Sequence, residues 1–331
     1  MTGGRLRLVV LIRSAQDPVF AMTPDRFAAA ARRYQTLAGR IEPVFVMDDD
    51  GLDEALGNAN AILGWRIPRD RLAERAPRLR WIQLTGAGAE HLLPFDWLPR
   101  GVAITTASGA HAEKAMEFVT MALLMLNARM PAMAANQRVH VWRQVFTPTI
   151  AGRIVLVVGV GAMGRAAARA AKRLGLRVLG VRRSGRPVRG IDAMGTLDAL
   201  DGFLAEADFI VLAAPATTAT RRLLDRRRFA LVKPGAGFVN IGRAQLVDAD
   251  ALRESLAAGR VSGAIVDVFE PEPLPADSAL WDTPNLVVLP HCSSDDAASY
   301  ASRVLDITFD NAGRLLAGRP LRNRLVERRE N

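Results

Sequence analysis

Short apolar runs alternate with amphipathic segments along almost the whole chain. The runs are short enough for buried strands, and the segments between them carry apolar residues at helical spacing. Strands separated by helices predict parallel, doubly wound sheets. The strands predicted in the first part of the chain are 6–12, 44–47, 61–65, 81–84 and 102–105. Those predicted further on are 154–158, 177–181, 209–213, 237–241, 263–268 and 286–289.

The segments between these strands predict helices of different character. Thr23 followed by Pro24 is typical of a helix start, and that helix is predicted to run to about residue 37. Segment 112–128 is apolar on most of its surface, so we expect a largely buried helix that crosses between domains. Segment 130–149 is predicted to be irregular or partly helical, and its Val, Phe and Trp side chains suggest a subunit contact. The last helix, 299–318, is expected to return and pack on the first domain.

Composition limits the possible classes of protein. The 331 residues suffice for two domains, and 50% hydrophobic with 24% charged residues is typical of a globular chain. The net charge of +10 suits anionic ligands, but no nucleic-acid motif accompanies it. The only cysteine is Cys292, so neither an intrachain disulfide nor a Cys-rich metal site is expected. No apolar run approaches the roughly 18 residues of a membrane span. The apolar run 8–12 is too short for the core of a signal peptide, so the cytoplasm is the expected location.

Segment 154–183 combines a strand, a glycine turn, a helix and a second strand. Gly159, Gly161 and Gly164 have GxGxxG spacing and open an Ala-rich helix. The first glycine allows the tight turn, the second lets the backbone approach a pyrophosphate, and the third lets the helix press on the strand. The helix N-terminus adds N–H groups and a positive dipole end. Because the full strand–turn–helix–strand context is present, the motif predicts dinucleotide binding rather than a structural turn.

The end of the predicted strand 177–181 indicates which dinucleotide binds. NAD sites usually carry Asp or Glu there to hold the ribose 2′-hydroxyl, whereas this chain has Arg182, Arg183 and Ser184. A guanidinium pairs with a 2′-phosphate through charge-assisted hydrogen bonds. The alternative is that these arginines are simply solvated in an Arg-rich chain. Their position favours NADP, with NAD as the other possible cofactor.

Three later strands are followed by reactive side chains. Arg243 follows strand 237–241, Asp267 ends the next strand with Glu272 shortly after it, and His291 follows strand 286–289. Ligands of open α/β sheets bind outside the carboxyl ends of strands, so these groups are expected to meet a nicotinamide. A cation would bind the substrate carboxylate and polarise its carbonyl, and an imidazolium beside a carboxylate would donate the proton. The set predicts the reduction of a 2-oxo acid.

Together, segments 159–164, 240–243, 267–275 and 290–291 resemble the D-isomer-specific 2-hydroxyacid dehydrogenase family. The resemblance covers essentially the whole chain and is strongest from about residue 152 to residue 291. It implies two Rossmann-like doubly wound α/β domains, with the cofactor domain inserted into a flavodoxin-like substrate domain. The implied boundaries give a substrate-binding (catalytic) domain of residues 1–108 and 292–331 and a dinucleotide-binding Rossmann domain of residues 109–291.

The resemblance also implies roles for individual residues. Arg243 looks like the family's substrate-binding arginine, His291 like its acid/base, and Glu272 like the partner of that histidine. Ala87 and Gly88 fall where backbone amides hold the substrate carboxylate. The cofactor-binding residues that the resemblance and the glycine motif imply are Gly159, Gly161, Ala162, Met163, Gly164, Arg182, Arg183, Ser184, Ala214, Pro215, Thr220, Ile241, Gly242 and Asp267.

The Arg-Arg-Ser sequence at 182–184 is similar to the glyoxylate/hydroxypyruvate reductase branch, whose members often prefer NADPH. The implied function is an NADP(H)-dependent oxidoreductase that reduces a small 2-oxo acid, such as glyoxylate or hydroxypyruvate, to the D-2-hydroxy acid. Family members are typically homodimers joined through a region that here includes 112–149; no nucleic-acid, membrane or metal partner is expected. The alternatives are a dehydrogenase of a bulkier 2-hydroxy acid or of phosphite, or a dinucleotide-sensing, corepressor-like binding protein.

Some positions depart from the family pattern. Ala244 stands where a glycine usually follows the arginine, and segment 292–296 lacks the common glycine- and threonine-containing pattern. His111 stands where a small apolar residue is more usual, which makes it a candidate specificity or supporting residue. Arg66 is a candidate contact for an acidic substrate, with a solvated loop charge as the alternative, and His91 is interpreted as structural.

Overall fold

The structure is a computed structural model that describes residues 5–12, 18–47 and 49–325. The chain divides into two compact units: the first comprises Met1–Ala110 with Asp296–Asn331, and the second comprises His111–Asp295. The sequence predicted domain boundaries at 108/109 and 291/292, and that division by role stays a prediction. The ends 1–4 and 326–331 of the predicted substrate domain lie outside the described residues.

The first unit contains a five-stranded parallel sheet. Its strands are β1 (Leu6–Leu11), β2 (Ile41–Val46), β3 (Ala61–Gly64), β4 (Trp81–Leu84) and β5 (Ala103–Thr105). Their order, β2-β1-β3-β4-β5, is that of flavodoxin-like folds.

The second unit contains a seven-stranded parallel sheet. Its strands are β6 (Ile154–Val158), β7 (Arg177–Val181), β8 (Ala193–Gly195), β9 (Phe209–Leu212), β10 (Ala236–Asn240), β11 (Val261–Val266) and β12 (Leu286–Val288). The order β12-β11-β10-β9-β6-β7-β8 is the Rossmann order with one further strand at the edge. The predicted fold class, two doubly wound α/β units with one inserted into the other, is confirmed.

Helices connect the strands of both sheets. Those of the first unit are α1 (Pro24–Ala31), α2 (Gln35–Ala38), α3 (Leu52–Gly57), α4 (Leu72–Arg75) and α11 (Tyr300–Leu316). Those of the second unit are α5 (Ala112–Asn127), α6 (Met130–Arg138), α7 (Ala162–Arg173), α8 (Leu200–Glu206), α9 (Arg226–Leu231) and α10 (Ala249–Ala257). As predicted, α11 returns to the first unit, where it packs on α1. The prediction that α5 crosses between domains is wrong, because α5 lies wholly in the second unit and packs on α7, β10 and β11.

The apolar strands are covered on both faces. Within β6, Leu156 and Val158 pack into one buried cluster, whereas Val155 and Val157 pack into another on the opposite face of the sheet. All four are at most 1% exposed. A nearly continuous β-branched run therefore forms a strand with no polar face, as parallel sheets require.

Two predicted elements differ in detail. The helix expected to run to about residue 37 is interrupted between α1 and α2, where Arg33 donates to Asp306 at 2.6 Å and Tyr34 stacks on Phe309 with 5.1 Å between ring centroids. These contacts with α11 require a turn that a continuous helix would not allow. Strand β8 was not predicted from the sequence, because Ala-Met-Gly contains no β-branched residue. Only its pairing with β7 defines β8 as a strand.

No single helix in the described ranges is long and apolar enough to cross a membrane. The bent pair α5 and α6, at 65°, passes such a test by length and composition only.

The amino-terminal edge of the second sheet is held by the carboxylate of Asp208, which is 9% exposed. It accepts hydrogen bonds from the Ile154 N–H at 2.9 Å and the Lys233 ammonium at 2.8 Å, and it pairs with Arg153 at 3.2 Å. Burial opposes ionisation, but the bonds from Lys233 and Ile154 and the Arg153 charge outweigh it, so the pKa of Asp208 lies below its ordinary value. This one carboxylate therefore joins the starts of β6 and β9 to the segment before β10.

We predict that Asp208→Asn lowers the free energy of unfolding by about 2 kcal/mol at neutral pH, because it removes charge-assisted hydrogen bonds from a buried position. A depressed pKa in the folded state stabilises the fold above the unfolded-state pKa of about 4. The difference between wild type and variant should accordingly shrink as pH falls below about 4. Urea unfolding at several pH values measures this.

Asp53→Asn is the matched control, since the Asp53 side chain is 77% exposed in its pair with Arg75 and should matter little. Equal stability of the Asp208 variant and this control at neutral pH would contradict the structural role of Asp208.

Candidate active site

The loop after β6 contains contacts that only glycine permits. Gly159 has a φ of 94°, in the left-handed region, and a Cβ placed on it would lie 2.4 Å from the Ala214 backbone. A Cβ on Gly164 would lie 2.1 Å from the Gly159 carbonyl oxygen, so α7 presses directly on the loop. In contrast, a Cβ on Gly161 would have no atom within 4 Å, which leaves open space in front of the loop.

The N-terminus of α7 faces this open space. Gly161 is the N-cap residue, no acidic side chain lies in the first turn, and Lys172 and Arg173 lie in the last turn. The exposed end of the helix dipole and its N–H groups favour an anion. The loop therefore fits the pyrophosphate of a dinucleotide, and the predicted contacts of Gly161, Ala162 and Met163 with it stay predictions.

A tight turn follows β7. The Arg182 N–H donates to the Gly195 carbonyl at 3.1 Å, and the Gly185 N–H donates back to the Arg182 carbonyl at 3.1 Å. Arg183 and Ser184 are exposed within this turn. Within residues 5–12, 18–47 and 49–325, neither Arg182 nor Arg183 has a carboxylate partner. Both guanidinium groups are thus available to a ligand at the position where a Rossmann fold holds the adenosine ribose.

The segment after β9 closes the site between the glycine loop and β10. Ala214 is buried, and a Cβ on Gly242 would lie 2.8 Å from its carbonyl oxygen. Thr220 accepts from the Thr217 N–H at 2.8 Å and donates to the Pro215 carbonyl at 2.8 Å. In the structure, these two hydrogen bonds of Thr220 stabilise the loop. The predicted position of Thr220 beside the ribose stays a prediction.

Arg243 follows β10, and its backbone is held by Asn240 at the end of that strand. The Asn240 side chain accepts from the Gly242 N–H at 3.0 Å and donates to the Arg243 carbonyl at 3.1 Å. The Arg243 Nη1 donates to the Gly242 carbonyl at 2.7 Å. Asn240 is 1% exposed, and the sequence analysis missed its role. A polar residue inside an otherwise apolar strand was the available signal, since a buried amide must find partners.

His291 and Glu272 form a hydrogen-bonded pair. The His291 Nδ1 lies 2.8 Å from the Glu272 Oε2, and the Glu272 Oε1 accepts the Phe269 N–H at 2.8 Å. The carboxylate is therefore held by the backbone while it orients the ring. With Nδ1–H directed at a carboxylate, the imidazole presents Nε2 to a ligand. The side chains are 51% and 37% exposed, so both are accessible from solvent.

Asp267 holds the segment after His291. Its carboxylate is 3% exposed and accepts from the Cys292 N–H at 2.9 Å and the Ser293 hydroxyl at 2.5 Å. Burial raises the pKa of Asp267, and the bonds from Ser293 and Cys292 oppose that increase. The atypical sequence after the histidine thus supplies hydrogen-bond donors to Asp267. The predicted contact of Asp267 with the cofactor stays a prediction.

Three strand ends bring these groups to one edge. Strands β10, β11 and β12 are neighbours in a parallel sheet, so Arg243, Asp267 and His291 all follow its carboxyl edge. The glycine loop and the turn after β7 lie on this same edge. The second unit therefore presents a dinucleotide-binding loop and a cation, a carboxylate and an imidazole along one side of its sheet.

His111 contacts the segment that follows His291. Its Nδ1 is 3.2 Å from the Ser294 carbonyl oxygen and 3.3 Å from the Asp295 carboxylate. His111 and Asp295 are the first and last residues of the second unit. The contact thus joins the two ends of this unit, and the choice between a specificity role and a supporting role for His111 stays a prediction.

In the first unit, the loop after β4 leaves two backbone N–H groups without a partner among the described residues. The Thr85 carbonyl accepts from the buried Tyr300 hydroxyl, and the Gly86 carbonyl accepts a backbone N–H at 2.8 Å. Among the described residues, nothing accepts a hydrogen bond from the N–H of Ala87 or Gly88. Adjacent free amides in a turn of small residues form a concavity suited to a carboxylate.

An aromatic side chain packs against the same loop. A Cβ on Gly86 would lie 2.2 Å from the Trp65 ring, which packs at a tilt of 33° against the His91 ring with 4.0 Å between centroids. The His91 Nε2 lies 3.0 Å from the Trp65 carbonyl oxygen, so His91 supports the indole, as its structural interpretation predicts. Arg66 is exposed and, in the part of the chain that is described, has no carboxylate partner. The sequence analysis missed Trp65, because only the tertiary structure brings it to Gly86.

The second unit also carries exposed apolar side chains around α5 and α6. Trp142 is 94% and Phe146 is 88% exposed, in a segment without helix or strand. That segment is anchored by the buried Asn127, whose amide donates to the Pro148 carbonyl at 3.0 Å. We call the following residues the apolar arm surface: Met121, Leu124, Met130, Val139, Val141, Trp142 and Phe146. These exposed apolar side chains come from one part of the second unit, and large exposed apolar areas are typical of interaction surfaces.

Comparison with known families gives one match that covers more than half of the chain. The model of the D-isomer specific 2-hydroxyacid dehydrogenase, NAD binding domain, matches residues 120–293. The matched residues lie within the second unit and include the glycine loop, Arg243, Glu272 and His291.

Curated proteins and solved structures give concordant similarities. Glyoxylate/hydroxypyruvate reductase B of Pectobacterium carotovorum is 33% identical over 249 residues, which are 72% of this chain and 77% of that protein. D-3-phosphoglycerate dehydrogenase of Mycobacterium tuberculosis is 34% identical over 255 residues, 76% of this chain, but the match spans only 48% of that longer protein. A D-isomer specific 2-hydroxyacid dehydrogenase from Xanthobacter autotrophicus, solved with NADPH and MES, is 30% identical with a TM-score of 0.82, over 96% of this chain and 98% of the other.

Proposed function

We propose a function from one premise: the chain belongs to the D-isomer specific 2-hydroxyacid dehydrogenase family. It is an NADP(H)-dependent oxidoreductase that reduces a small 2-oxo acid of the glyoxylate or hydroxypyruvate type to the D-2-hydroxy acid. The observation that carries this proposal is the His291–Glu272 pair, which follows the same sheet edge as Arg243 and the glycine loop.

Binding of the substrate rests on cations and amides. The Arg243 guanidinium pairs with the carboxylate of the substrate and polarises its carbonyl group, since planar forks suit such anions. In the first unit, the adjacent N–H groups of Ala87 and Gly88 are suited to hold a carboxylate, and Arg66 is a further candidate contact. The Trp65 ring packs directly against Gly86, so any residue larger than glycine would collide with the indole beside these amides.

Proton transfer rests on the histidine. When bound, the reduced nicotinamide supplies the hydride that the carbonyl carbon accepts. His291 donates the proton from Nε2 to the carbonyl oxygen, and Glu272 stabilises the charged imidazole and keeps its Nδ1–H directed away from the substrate. In the oxidative direction, the same Nε2 accepts the proton of the hydroxyl group.

The preference for NADP rests on the turn after β7. Arg182 and Arg183 stand where an NAD site carries a carboxylate, and neither pairs with an acid within the described ranges. A 2′-phosphate supplies the missing anion. The structure from Xanthobacter autotrophicus was solved with NADPH, which is consistent with this choice.

A second candidate function is the oxidation of D-3-phosphoglycerate, favoured by the 34% identity to the Mycobacterium tuberculosis enzyme. The chain spans about half the length of that relative, so we rank the small 2-oxo acid first. The bulkier 2-hydroxy acids, phosphite and a corepressor-like role rank lower. We expect the protein to act in the cytoplasm, since its cofactor and substrates are metabolites.

We predict that kcat/KM for glyoxylate or hydroxypyruvate is higher with NADPH than with NADH. In the double variant Arg182→Ala/Arg183→Ala, the ratio of kcat/KM with NADPH to kcat/KM with NADH should fall about a hundredfold. The reason is that each guanidinium contributes a charge-assisted hydrogen bond to the 2′-phosphate. Absorbance at the nicotinamide band follows the reaction, with D-3-phosphoglycerate and NAD+ or NADP+ as a parallel assay.

The control is Arg177→Ala, which removes one positive charge from the other end of β7 and should leave the ratio unchanged. Preference of the wild type for NADH would overturn the cofactor assignment. Faster turnover of D-3-phosphoglycerate than of both 2-oxo acids would favour the second candidate.

We predict that His291→Asn lowers kcat at least about a hundredfold, the usual contribution of a general acid. Asn suits this position, because His291 has a φ of 52° and Asn adopts the left-handed region readily. Glu272→Gln should cause a smaller loss, since its Oε1 can still accept the Phe269 N–H but its amide cannot accept Nδ1–H. Steady-state kinetics measures both, with His140→Asn, also at positive φ, as control.

Near-normal kcat in His291→Asn would refute the assignment of the acid. Binding of NADPH, followed by fluorescence, should be retained in both variants, which separates loss of chemistry from loss of the fold.

We predict a homodimer joined through the apolar arm surface. Trp142→Glu/Phe146→Glu should shift the molar mass from that of a dimer to that of a monomer in light scattering after gel filtration, because it places charges in a contact that must exclude water. Met47→Glu/Leu231→Glu alters exposed apolar residues outside this surface and serves as the control. A wild type that elutes as a monomer at micromolar concentration would contradict this prediction.

A further inference from the structure

A cleft of ≈ 610 Å³ lies at the amino-terminal edge of the first sheet. Its volume falls in the range of small-molecule sites, about 300–1,000 Å³. Four arginines from separate segments line it: Arg80 before β4, Arg100 before β5, Arg319 after α11 and Arg324 beside β5. The loop at 85–88 follows the opposite end of β4, so the cleft is separate from the proposed substrate contacts in the same unit.

The charges of the cleft are unbalanced. Its lining contains no acidic residue, and across the described ranges none of the four arginines forms an ion pair with a carboxylate. Nearby arginines behave differently, since Arg314 and Arg322 both bind Asp310, at 2.9 and 3.2 Å. Asp310 thus balances Arg314 and Arg322, whereas no carboxylate among the lining residues balances the arginines that face the cleft.

The backbone around the cleft is already ordered. The Arg80 carbonyl accepts the Ala103 N–H at 3.0 Å, as part of the pairing of β4 with β5. The Ile104 carbonyl accepts the Leu325 N–H at 2.9 Å, which fixes the segment that carries Arg324. Only side chains would need to be ordered when a ligand binds, which keeps the entropic cost of binding low.

The helix dipole does not explain this arrangement. The carbonyl end of α11 favours a cation, which accounts for Arg319. Arg80 and Arg100 precede strands, and strands have almost no net dipole. Four guanidinium groups around one concavity repel one another unless an anion lies among them.

We propose that this cleft binds a small polyanion, a molecule with at least two phosphate or carboxylate groups. Guanidinium forks pair with such groups bidentately, and four forks exceed what one monovalent anion needs. The apolar part of the lining, including Leu79 and Leu321, suits a short carbon skeleton between the anionic groups.

The first test is calorimetric titration of the full chain with inorganic pyrophosphate at physiological ionic strength, about 0.15 M. Arg100→Ala/Arg319→Ala should weaken binding about a hundredfold, about tenfold for each lost charge-assisted pair. Arg32→Ala/Arg40→Ala removes the same charge from exposed positions elsewhere in the unit and should leave the affinity unchanged. Equal losses in both variants would overturn the proposal, because they would indicate attraction by net charge alone.

Hydrogen–deuterium exchange of the wild type with pyrophosphate locates the site without any variant. The proposal expects slower exchange in segments 100–103 and 318–325. Slower exchange only in the glycine loop at 159–165 would overturn it, since pyrophosphate would then occupy the predicted cofactor site. Tighter binding of a short single-stranded oligonucleotide than of pyrophosphate, with the same dependence on Arg100 and Arg319, would also overturn it in favour of a nucleic acid.

Discussion

The constraint on which the second unit depends is that the strands of its sheet are parallel. Because every strand runs in the same direction, the loops after β6, β7, β9, β10, β11 and β12 all follow one edge. Neighbouring loops on this edge approach so closely that a side chain does not fit between their backbones. The positions at which the backbones approach most closely are occupied by Gly159, Gly164 and Gly242. Glycine at these positions is thus a packing requirement, and the space that it saves leaves the α7 N-terminus open to an anion.

Two carboxylates on this edge have different tasks, and their surroundings explain the difference. Glu272 is partly exposed, is held by the Phe269 N–H and faces the His291 ring, so it can stabilise a charge that forms there. Asp267 is buried and accepts hydrogen bonds from Cys292 and Ser293, so it fixes the backbone that carries His291. Two contacts therefore orient the His291 imidazole. Glu272 binds the ring itself, and Asp267 fixes the backbone directly after His291.

Sequence reasoning located the elements whose signals are local. The β-branched run of β6 and the glycine spacing were sufficient for the nucleotide-binding unit, because burial on both faces and tight turns leave direct traces in composition. The positions of Arg243, Asp267 and His291 after strands could be predicted because the strands themselves were, whereas their roles stay predictions. The roles of Asn240 and Trp65 were missed, since each depends on a partner that the tertiary structure supplies. The break between α1 and α2 likewise depends on α11, which follows far later in the chain.

The net charge of +10 can be interpreted structurally when arginines that pair with a carboxylate are distinguished from those that do not. Many of them are balanced: Arg33, Arg75 and Arg314 each bind a carboxylate within the first unit. The described arginines without such a partner include Arg182 and Arg183 beside the predicted 2′-phosphate position and those around the cleft at the opposite edge of the first sheet. Other described arginines without a carboxylate partner, such as Arg32 and Arg40, are simply exposed. The grouping of four such guanidinium groups around one cleft of the first unit, more than the total charge, is therefore what favours an anionic ligand there.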